Sequence, residues 1–196
     1  MKARDKAILS DLKRFRVMTR EDIEELHFQG LKHPTANCNA VLLRLKRDGQ
    51  IRAITDRRMY CYVHSDVQLR PDSTKIPHFL AIVSFYRELC EIEKPTLFEV
   101  EPKLGSKGTV EVDCQVIWRK SPFFVEIQRN LYSGKVFTAK MSRYEQYFHS
   151  KEWKQLTWQP KNNPVFPHVW IITENKYTLS KRLPFRVIQS KDSKIA

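Results

Sequence analysis

Two carboxylates and one amide in neighbouring predicted strands have the spacing best suited to chemistry. Asp113 lies in the run 110–118, and Glu126 and Gln128 lie in the run 123–128. Because successive side chains of a strand point to opposite faces, Glu126 and Gln128 share a face. If the two runs pair as a hairpin, Asp113 lies beside Glu126. Acidic groups in an otherwise apolar hairpin need compensation, and a divalent cation would provide it.

The same pattern has a simpler interpretation. Antiparallel sheets often keep one face in water, where carboxylates need no ligand. The alternation of residues therefore predicts a shared face for the acidic side chains, and it leaves open whether that face binds a metal or is only solvated.

These strands belong to a predicted α/β domain spanning residues 78–196. Within the first hairpin strand, alternation predicts one face for Val110, Val112, Cys114 and Val116. The other predicted elements are a helix over 78–91, a strand over 97–101, a helix over 136–148, a strand over 168–173, a helical stretch over 177–182 and a strand over 185–188. The run 168–173 is continuously apolar, which is typical of a central strand.

The first third of the chain has a different pattern. It predicts a helix over 3–15, a short helix capped by Thr19 and ended by Gly30, a helix opened by His33-Pro34-Thr35 and running to about Asp48, and strands over 51–54 and 59–63. The apolar positions of the third helix are Ala40, Val41, Leu43 and Leu45. Three helices and a hairpin are the layout of a winged helix-turn-helix. The predicted fold class is therefore α+β, with a winged helix-turn-helix over 1–66, a linker over 67–77 and a second domain with a mixed central sheet.

In that layout the third helix enters the major groove of DNA. The side chains expected to contact DNA are Thr35, Asn37, Asn39, Arg44, Lys46 and Arg47 on the helix, and Arg52, Arg57 and Arg58 on the hairpin. Amides can read base edges and cations can neutralise phosphates. The alternative is a winged helix used only for protein contacts, with a solvated basic face.

The composition favours a nucleic-acid partner. The 196 residues carry a formal net charge of +13, which suits a polyanion such as double-stranded DNA. No apolar run has the length that would predict a membrane span. The four cysteines are scattered without the close pairs of zinc sites, so we expect free thiols and a cytoplasmic protein. The sequence leaves the oligomeric state open, with a homodimer as one possibility.

The order helix, strand, Asp-bearing strand, Glu-x-Gln strand, helix, strand resembles the PD-(D/E)XK nuclease-like fold. The resemblance implies that Asp113 and Glu126 hold Mg²⁺ beside the scissile phosphate. Gln128 stands where lysine is usual and carries no charge, so Arg129 or Lys140 would supply the missing cation. The candidate catalytic residues are therefore Asp113, Glu126, Gln128 and Lys140, with Arg129 as a DNA contact. The alternative for Lys140 is a solvated helix face.

The whole chain resembles the replication-relaxation family of plasmids and integrative elements. The residues that carry this resemblance, besides the two-domain layout, are Phe124-Val125-Glu126, Arg129, Lys140 and Arg143-Tyr144. That family commonly has an acidic residue at the position of Gln128. The resemblance implies a role in replication or DNA processing of a mobile element, with DNA nicking left open. The alternatives are a non-catalytic regulator with a degenerate nuclease fold used for DNA contact or self-association, and an RNA-binding protein.

Overall fold

The computed structural model describes residues 1–55, 59–105, 108–179 and 181–193, and this part of the chain is a mixed α+β protein. The chain divides into two compact units, Met1–Arg87 and Glu88–Ala196. Arg57 and Arg58, two of the predicted DNA contacts, lie outside the described residues. Within the described ranges, no helix is long and apolar enough to cross a membrane.

The first unit contains three helices and a small antiparallel sheet. Its elements are α1 (Ala3–Phe15), β1 (Met18–Thr19), α2 (Arg20–His27), α3 (Pro34–Arg47), β2 (Ile51–Ile54) and β3 (Cys61–His64), followed by the start of α4 (Ile76–Ile92). The strand order is β1-β3-β2. The predicted helices and hairpin are present. β1 was not predicted, because two residues are too few to show alternation.

The start of α2 follows from local chemistry. The Thr19 hydroxyl accepts a hydrogen bond from the backbone N–H of Asp22 at 3.1 Å, and the Asp22 carboxylate accepts one from the backbone N–H of Thr19 at 2.8 Å. This reciprocal capping box satisfies two backbone donors at the helix start. The helix ends at His27, ahead of the predicted stop at Gly30.

The buried side of α3 is formed by Cys38, Leu42 and Leu45. These residues are spaced i, i+4 and i+7, which is one stripe of an α-helix. Leu43 lies one residue further round the helix and is 71 % exposed. The helix therefore presents an unusually apolar residue on its outer side.

The second unit contains a five-stranded mixed sheet. Its elements after the end of α4 are β4 (Leu97–Val100), β5 (Cys114–Trp118), β6 (Ser121–Ile127), α5 (Gly134–Ser150), a 3-10 turn (Glu152–Gln155), β7 (His168–Ile172) and β8 (Val187–Ser190). The strand order is β4-β5-β6-β7-β8. Strands β4, β5 and β6 pair antiparallel, whereas β6, β7 and β8 pair parallel. The predicted mixed central sheet is confirmed.

A two-residue turn joins β5 and β6. Arg119 and Lys120 both have positive φ, at 48° and 62°. Two positive φ values in a two-residue hairpin loop give a twist that matches the twist of the strands, and glycine or asparagine usually supplies them. Side chains with a Cβ are strained in this conformation.

The predicted first strand of the hairpin is too long. β5 begins at Cys114, because the Asp113 side chain accepts the backbone N–H of Ile127 at 2.7 Å in place of a strand carbonyl. Val112 packs in the same cluster as Phe124. Cys114 instead lies opposite Val125, whose side chain points to the other face of the sheet. The prediction of one shared face for 110–116 is therefore wrong.

The predicted helical stretch over 177–182 is also wrong, since the described residues there are not helical. The backbone N–H of Tyr177 donates to the Gln189 side chain at 2.8 Å, and the Gln189 amide donates to the Tyr177 carbonyl at 2.9 Å. These bonds satisfy the backbone from β8, so no helical turn is needed.

Helix α5 covers one face of β6 and β7. The core cluster on that face includes Phe124, Val169 and Ile171 from the sheet and Phe137, Met141, Tyr144 and Tyr147 from the helix. Each large apolar side chain that is fully buried contributes roughly 1.5–3 kcal/mol. Because Glu126 is two residues from Phe124 in β6, its side chain is directed into this covered face.

Candidate functional site

Glu126 is the buried carboxylate at the centre of the second unit, with 1 % of its surface exposed. Lys140 donates a hydrogen bond to Oε2 and the Tyr144 hydroxyl donates one to Oε1. Lys140 and Tyr144 are four residues apart in α5, which places them on the same side of the helix. Both oxygens of the carboxylate therefore have a partner from α5.

The electrostatics of this cluster follow from burial. Burial raises the pKa of Glu126 to about 7, although the positive charge of Lys140 opposes the shift and the negative charge of Asp113 adds to it. Burial alone would lower the pKa of Lys140, but the neighbouring Glu126 outweighs it and the pKa is raised. Burial and the Glu126 charge hold the pKa of Tyr144 well above its usual value. Tyr144 is thus a permanent donor, and Lys140 is a cation at neutral pH.

Asp113 lies beside this cluster, as the hairpin pattern predicts. Its backbone N–H donates to the Val125 carbonyl at 3.1 Å, and its carboxylate accepts the Ile127 N–H. Cys114 is opposite Val125 in the register, so Asp113 stands opposite Glu126. Asp113 is partly exposed. The partly exposed carboxylate of Asp113 and the buried carboxylate of Glu126 therefore lie on neighbouring chain segments at this end of the hairpin.

Two glutamines on the same face have side-chain oxygens without partners. The buried Oε1 atoms of Gln128 and Gln115 accept no hydrogen bond from the described residues. Gln128 is fixed by its backbone N–H, which donates to the Ile172 carbonyl at 2.9 Å. Gln115 lies opposite Phe124 and is 1 % exposed. Gln115 is not among the residues predicted for the site, although alternation from Asp113 places it on this face.

Of the two side chains predicted to supply a positive charge beside Glu126, Lys140 contacts the carboxylate and Arg129 does not. Lys140 reaches Glu126 from α5, and its Nζ lies 5.8 Å from the centre of the Tyr132 ring. Arg129 is exposed in the segment after β6. The alternative of a solvated helix face does not hold for Lys140, whose side chain is 19 % exposed. Arg143 of the same helix is exposed.

Mg²⁺ prefers oxygen ligands, and this cluster contains oxygen atoms of that kind. The groups that already contact those oxygens, however, leave no place for a cation. The donors would be the carboxylates of Asp113 and Glu126 and the free Oε1 of Gln128. Both oxygens of Glu126 are bonded to side chains of α5, and the ammonium group of Lys140 repels a second cation. Among the described residues, no group of three or more His, Cys, Asp or Glu side chains is arranged to hold a metal. The cluster in this arrangement is an ion pair and does not fit Mg²⁺.

In the first unit, several predicted DNA contacts have partners within the protein. Arg52 of β2 donates to the Val67 carbonyl at 2.8 Å. Thr35 donates to Glu24 at 2.8 Å and Asn37 donates to the His33 carbonyl at 2.7 Å. Arg44 pairs with Asp5 at 2.8 Å, and this hydrogen bond lowers the pKa of Asp5. These side chains stabilise the fold around α3.

The other predicted contacts of α3 lie on an exposed strip. We call this strip the α3 outer face; it consists of Ala36, Asn39, Ala40, Leu43, Lys46 and Arg47, all exposed. Their spacing of three or four residues keeps them on one side of the helix. Arg47 pairs with its neighbour Asp48 at 3.3 Å, a surface contact of little energetic weight. The buried stripe of α3, read from Cys38 onward, is the signal that would have placed Leu43 outside.

Comparison of the chain with family models, with curated proteins and with solved structures found no match. The resemblance to the replication-relaxation family stays a prediction.

Proposed function

We propose that the protein binds double-stranded DNA through the α3 outer face. The observation that carries this proposal is the element order α1-β1-α2-α3-β2-β3 with the sheet order β1-β3-β2. It agrees with a winged helix-turn-helix, in which the third helix lies in the major groove. The exposed face of that helix carries Asn39, Lys46 and Arg47.

The chemistry of the α3 outer face suits a groove. Lys46 and Arg47 can neutralise phosphates, and the Asn39 amide can pair with a base edge. Ala36 and Ala40 are small, so the helix backbone can approach the bases closely. The exposed Leu43 offers an apolar contact of the kind that recognises a thymine methyl group. The net charge of +13 supports binding at long range.

For the second unit, we propose a non-catalytic nuclease-like domain used for DNA contact or self-association. The topology supports the nuclease-like assignment: three antiparallel strands, then α5, then a parallel strand, with Asp113 immediately before β5 and Glu126 in the adjacent β6. The ion pair supports the non-catalytic assignment, since Lys140 and Tyr144 already engage Glu126. A role in replication or DNA processing of a plasmid or other mobile element rests on the sequence resemblance alone.

DNA binding is tested with labelled duplex and the full chain, at several salt concentrations from about 50 to about 200 mM. We expect Lys46→Ala/Arg47→Ala to lower affinity and to make the plot of log affinity against log salt shallower by about 1.8, since each phosphate contact contributes about 0.9. Lys6→Ala, which removes an exposed charge from α1, is the control. If the Lys46→Ala/Arg47→Ala variant and the Lys6→Ala control bind duplex with the same affinity and the same salt dependence, the α3 outer face is not the DNA-binding surface.

Catalysis is tested with supercoiled plasmid and Mg²⁺ or Mn²⁺, comparing the native protein with Glu126→Gln and Asp113→Asn. We expect intact plasmid in every reaction while duplex binding persists. Nicking by the native protein that disappears with a chelator and in both variants would overturn the non-catalytic assignment. It would establish the second unit as a metal-dependent nuclease.

A further inference from the structure

The second unit contains a groove with an aromatic floor and a basic rim. Its lining residues lie between positions 148 and 186, after Glu126 in the sequence. Its floor is formed by Phe148, Trp153, Phe166 and Phe185, and its rim by Lys151, Lys154 and Arg186. We call this feature the aromatic groove. It is lined by the end of α5, the 3-10 turn and the segments on either side of β7.

The floor of the aromatic groove is a packed set of rings. Phe166 meets Trp153 edge-on, with centroids 5.4 Å apart, and Phe148 stacks on Trp153 at 6.1 Å. Phe185 lies 5.1 Å from Phe166. Trp153 and Phe166 are buried, whereas Phe148 and Phe185 are partly exposed. Two rings held in place by a rigid layer beneath them therefore border the groove.

The rim of the aromatic groove is positive. Lys151, Lys154 and Arg186 are exposed, and none of them forms an ion pair with a carboxylate in the described part of the chain. The lining residues include no Asp or Glu. His168 also lines the groove, and burial together with the nearby Arg186 lowers its pKa, so it is neutral at pH 7. Three cations without counter-charges favour an anionic ligand.

We propose that the aromatic groove binds a single strand of nucleic acid. Phosphates would contact Lys151, Lys154 and Arg186, and unpaired bases would stack on Phe148 and Phe185. A single strand fits better than a duplex, because duplex bases are stacked on each other and their faces are hidden from side chains. This site is separate from the α3 outer face and goes beyond the proposed duplex binding. It gives the second unit a ligand of its own.

The experiment measures fluorescence anisotropy of the full chain with labelled oligothymidine and oligouridine of about 15 nucleotides. Lys154→Ala/Arg186→Ala is compared with Lys94→Ala/Lys103→Ala, a control that removes two exposed lysines of the same unit. We expect the groove variant to bind more weakly and to show a salt slope shallower by about 1.4, at about 0.7 per phosphate of a single strand. We expect the control to match the native protein.

A second variant tests stacking separately from charge. Phe185→Leu keeps apolar bulk in the floor but removes a ring, so oligothymidine affinity should fall about fivefold or more while the salt slope stays unchanged. Thermal unfolding of each variant verifies that the protein is folded. Binding of both oligothymidine and oligouridine supports a site that reads backbone and base faces, and binding of one alone supports the site and identifies the sugar it accepts.

Three results would overturn the proposal that the aromatic groove binds a single strand. The first is equal single-strand affinity in the groove variant and its control, and the second is an equal loss of duplex and single-strand binding in the groove variant. The third is displacement of oligothymidine by polyglutamate as efficiently as by unlabelled oligothymidine. All measurements are repeated in the Lys46→Ala/Arg47→Ala background. Loss of duplex binding there tests the α3 outer face, whereas oligothymidine binding tests the groove, so the two proposals fail separately.

Discussion

Lys140 of α5 and Glu126 of β6 are joined by a hydrogen-bonded ion pair, with Glu126 almost wholly buried. Tyr144, one turn further along α5, holds the other carboxylate oxygen. Both oxygens of Glu126 therefore accept hydrogen bonds from side chains of α5, and we expect changes in this cluster to act mainly on the stability of the fold.

Lys140→Met should destabilise the protein strongly above pH 7. Without Lys140 a buried carboxylate loses its counter-charge, which typically costs about 3–5 kcal/mol. Below about pH 5.5 the loss should be smaller, because Glu126 is protonated there. Urea unfolding at both pH values measures the difference. The double variant Lys140→Met/Glu126→Gln is the control, and it should recover much of the lost stability at high pH.

The raised pKa of Glu126 makes stability depend on pH. The folded protein holds a proton up to about pH 7, whereas the unfolded chain releases it near pH 4.5. The native state thus binds more protons in this window, and the contribution of Glu126 to stability falls as pH rises through it. The ¹³C chemical shift of the Glu126 carboxyl gives the midpoint directly. A midpoint near 4 and no difference in pH dependence from Glu126→Gln would contradict the prediction.

Tyr144→Phe should lower the free energy of unfolding by about 1–3 kcal/mol, because Oε1 of Glu126 is left buried without a donor. The change removes one oxygen atom and leaves the ring in its place in the core. Tyr60→Phe, at a residue that is 60 % exposed, is the matched control and should have almost no effect. Equal stabilities of the two variants would show that the hydroxyl of Tyr144 contributes nothing.

Leu42 and Leu43 are adjacent in α3 but should respond oppositely to truncation. Leu42 is 2 % exposed, so Leu42→Ala should cost about 2–5 kcal/mol. Leu43 is 71 % exposed, so Leu43→Ala should change stability by less than about 0.5 kcal/mol and yet weaken duplex binding. Thermal unfolding and anisotropy with duplex measure both. Reversed costs would mean that α3 is rotated from its position here.

The turn between β5 and β6 should accept a stabilising change. Lys120 has a φ of 62°, a conformation that favours glycine or asparagine. Lys120→Gly should raise the free energy of unfolding by about 1 kcal/mol, because it relieves the crowding of Cβ in the left-handed region. Arg119→Gly is a useful comparison, since it also removes the guanidinium that lies 4.6 Å from the centre of the Trp118 ring. It should therefore stabilise less.

The features that could be predicted from sequence are those set by neighbours in the chain. The cap formed by Thr19 and Asp22 depends on residues three apart. The position of Asp113 beside Glu126 follows from alternation and a short turn. Each of these interactions is determined by backbone periodicity, which the residue types reveal.

The features that sequence missed depend on distant partners. The segment after Tyr177 is not helical because Gln189, twelve residues away, satisfies its backbone. The donor role of Tyr144 depends on how α5 is rotated over β6, and sequence periodicity does not give that rotation relative to Glu126.

β6 has an antiparallel neighbour on one side and a parallel neighbour on the other, and the two should join it at different times during folding. A hairpin such as β5–β6 forms in about 1–10 μs, whereas a parallel partner must wait for the intervening helix. We expect the Glu126 carboxylate to stay in water until α5 docks. We then expect it to lose its water and contact Lys140 in the same step. We therefore expect the rate of the folding step in which α5 docks to change with pH. The rate at which the β5–β6 hairpin forms should change less.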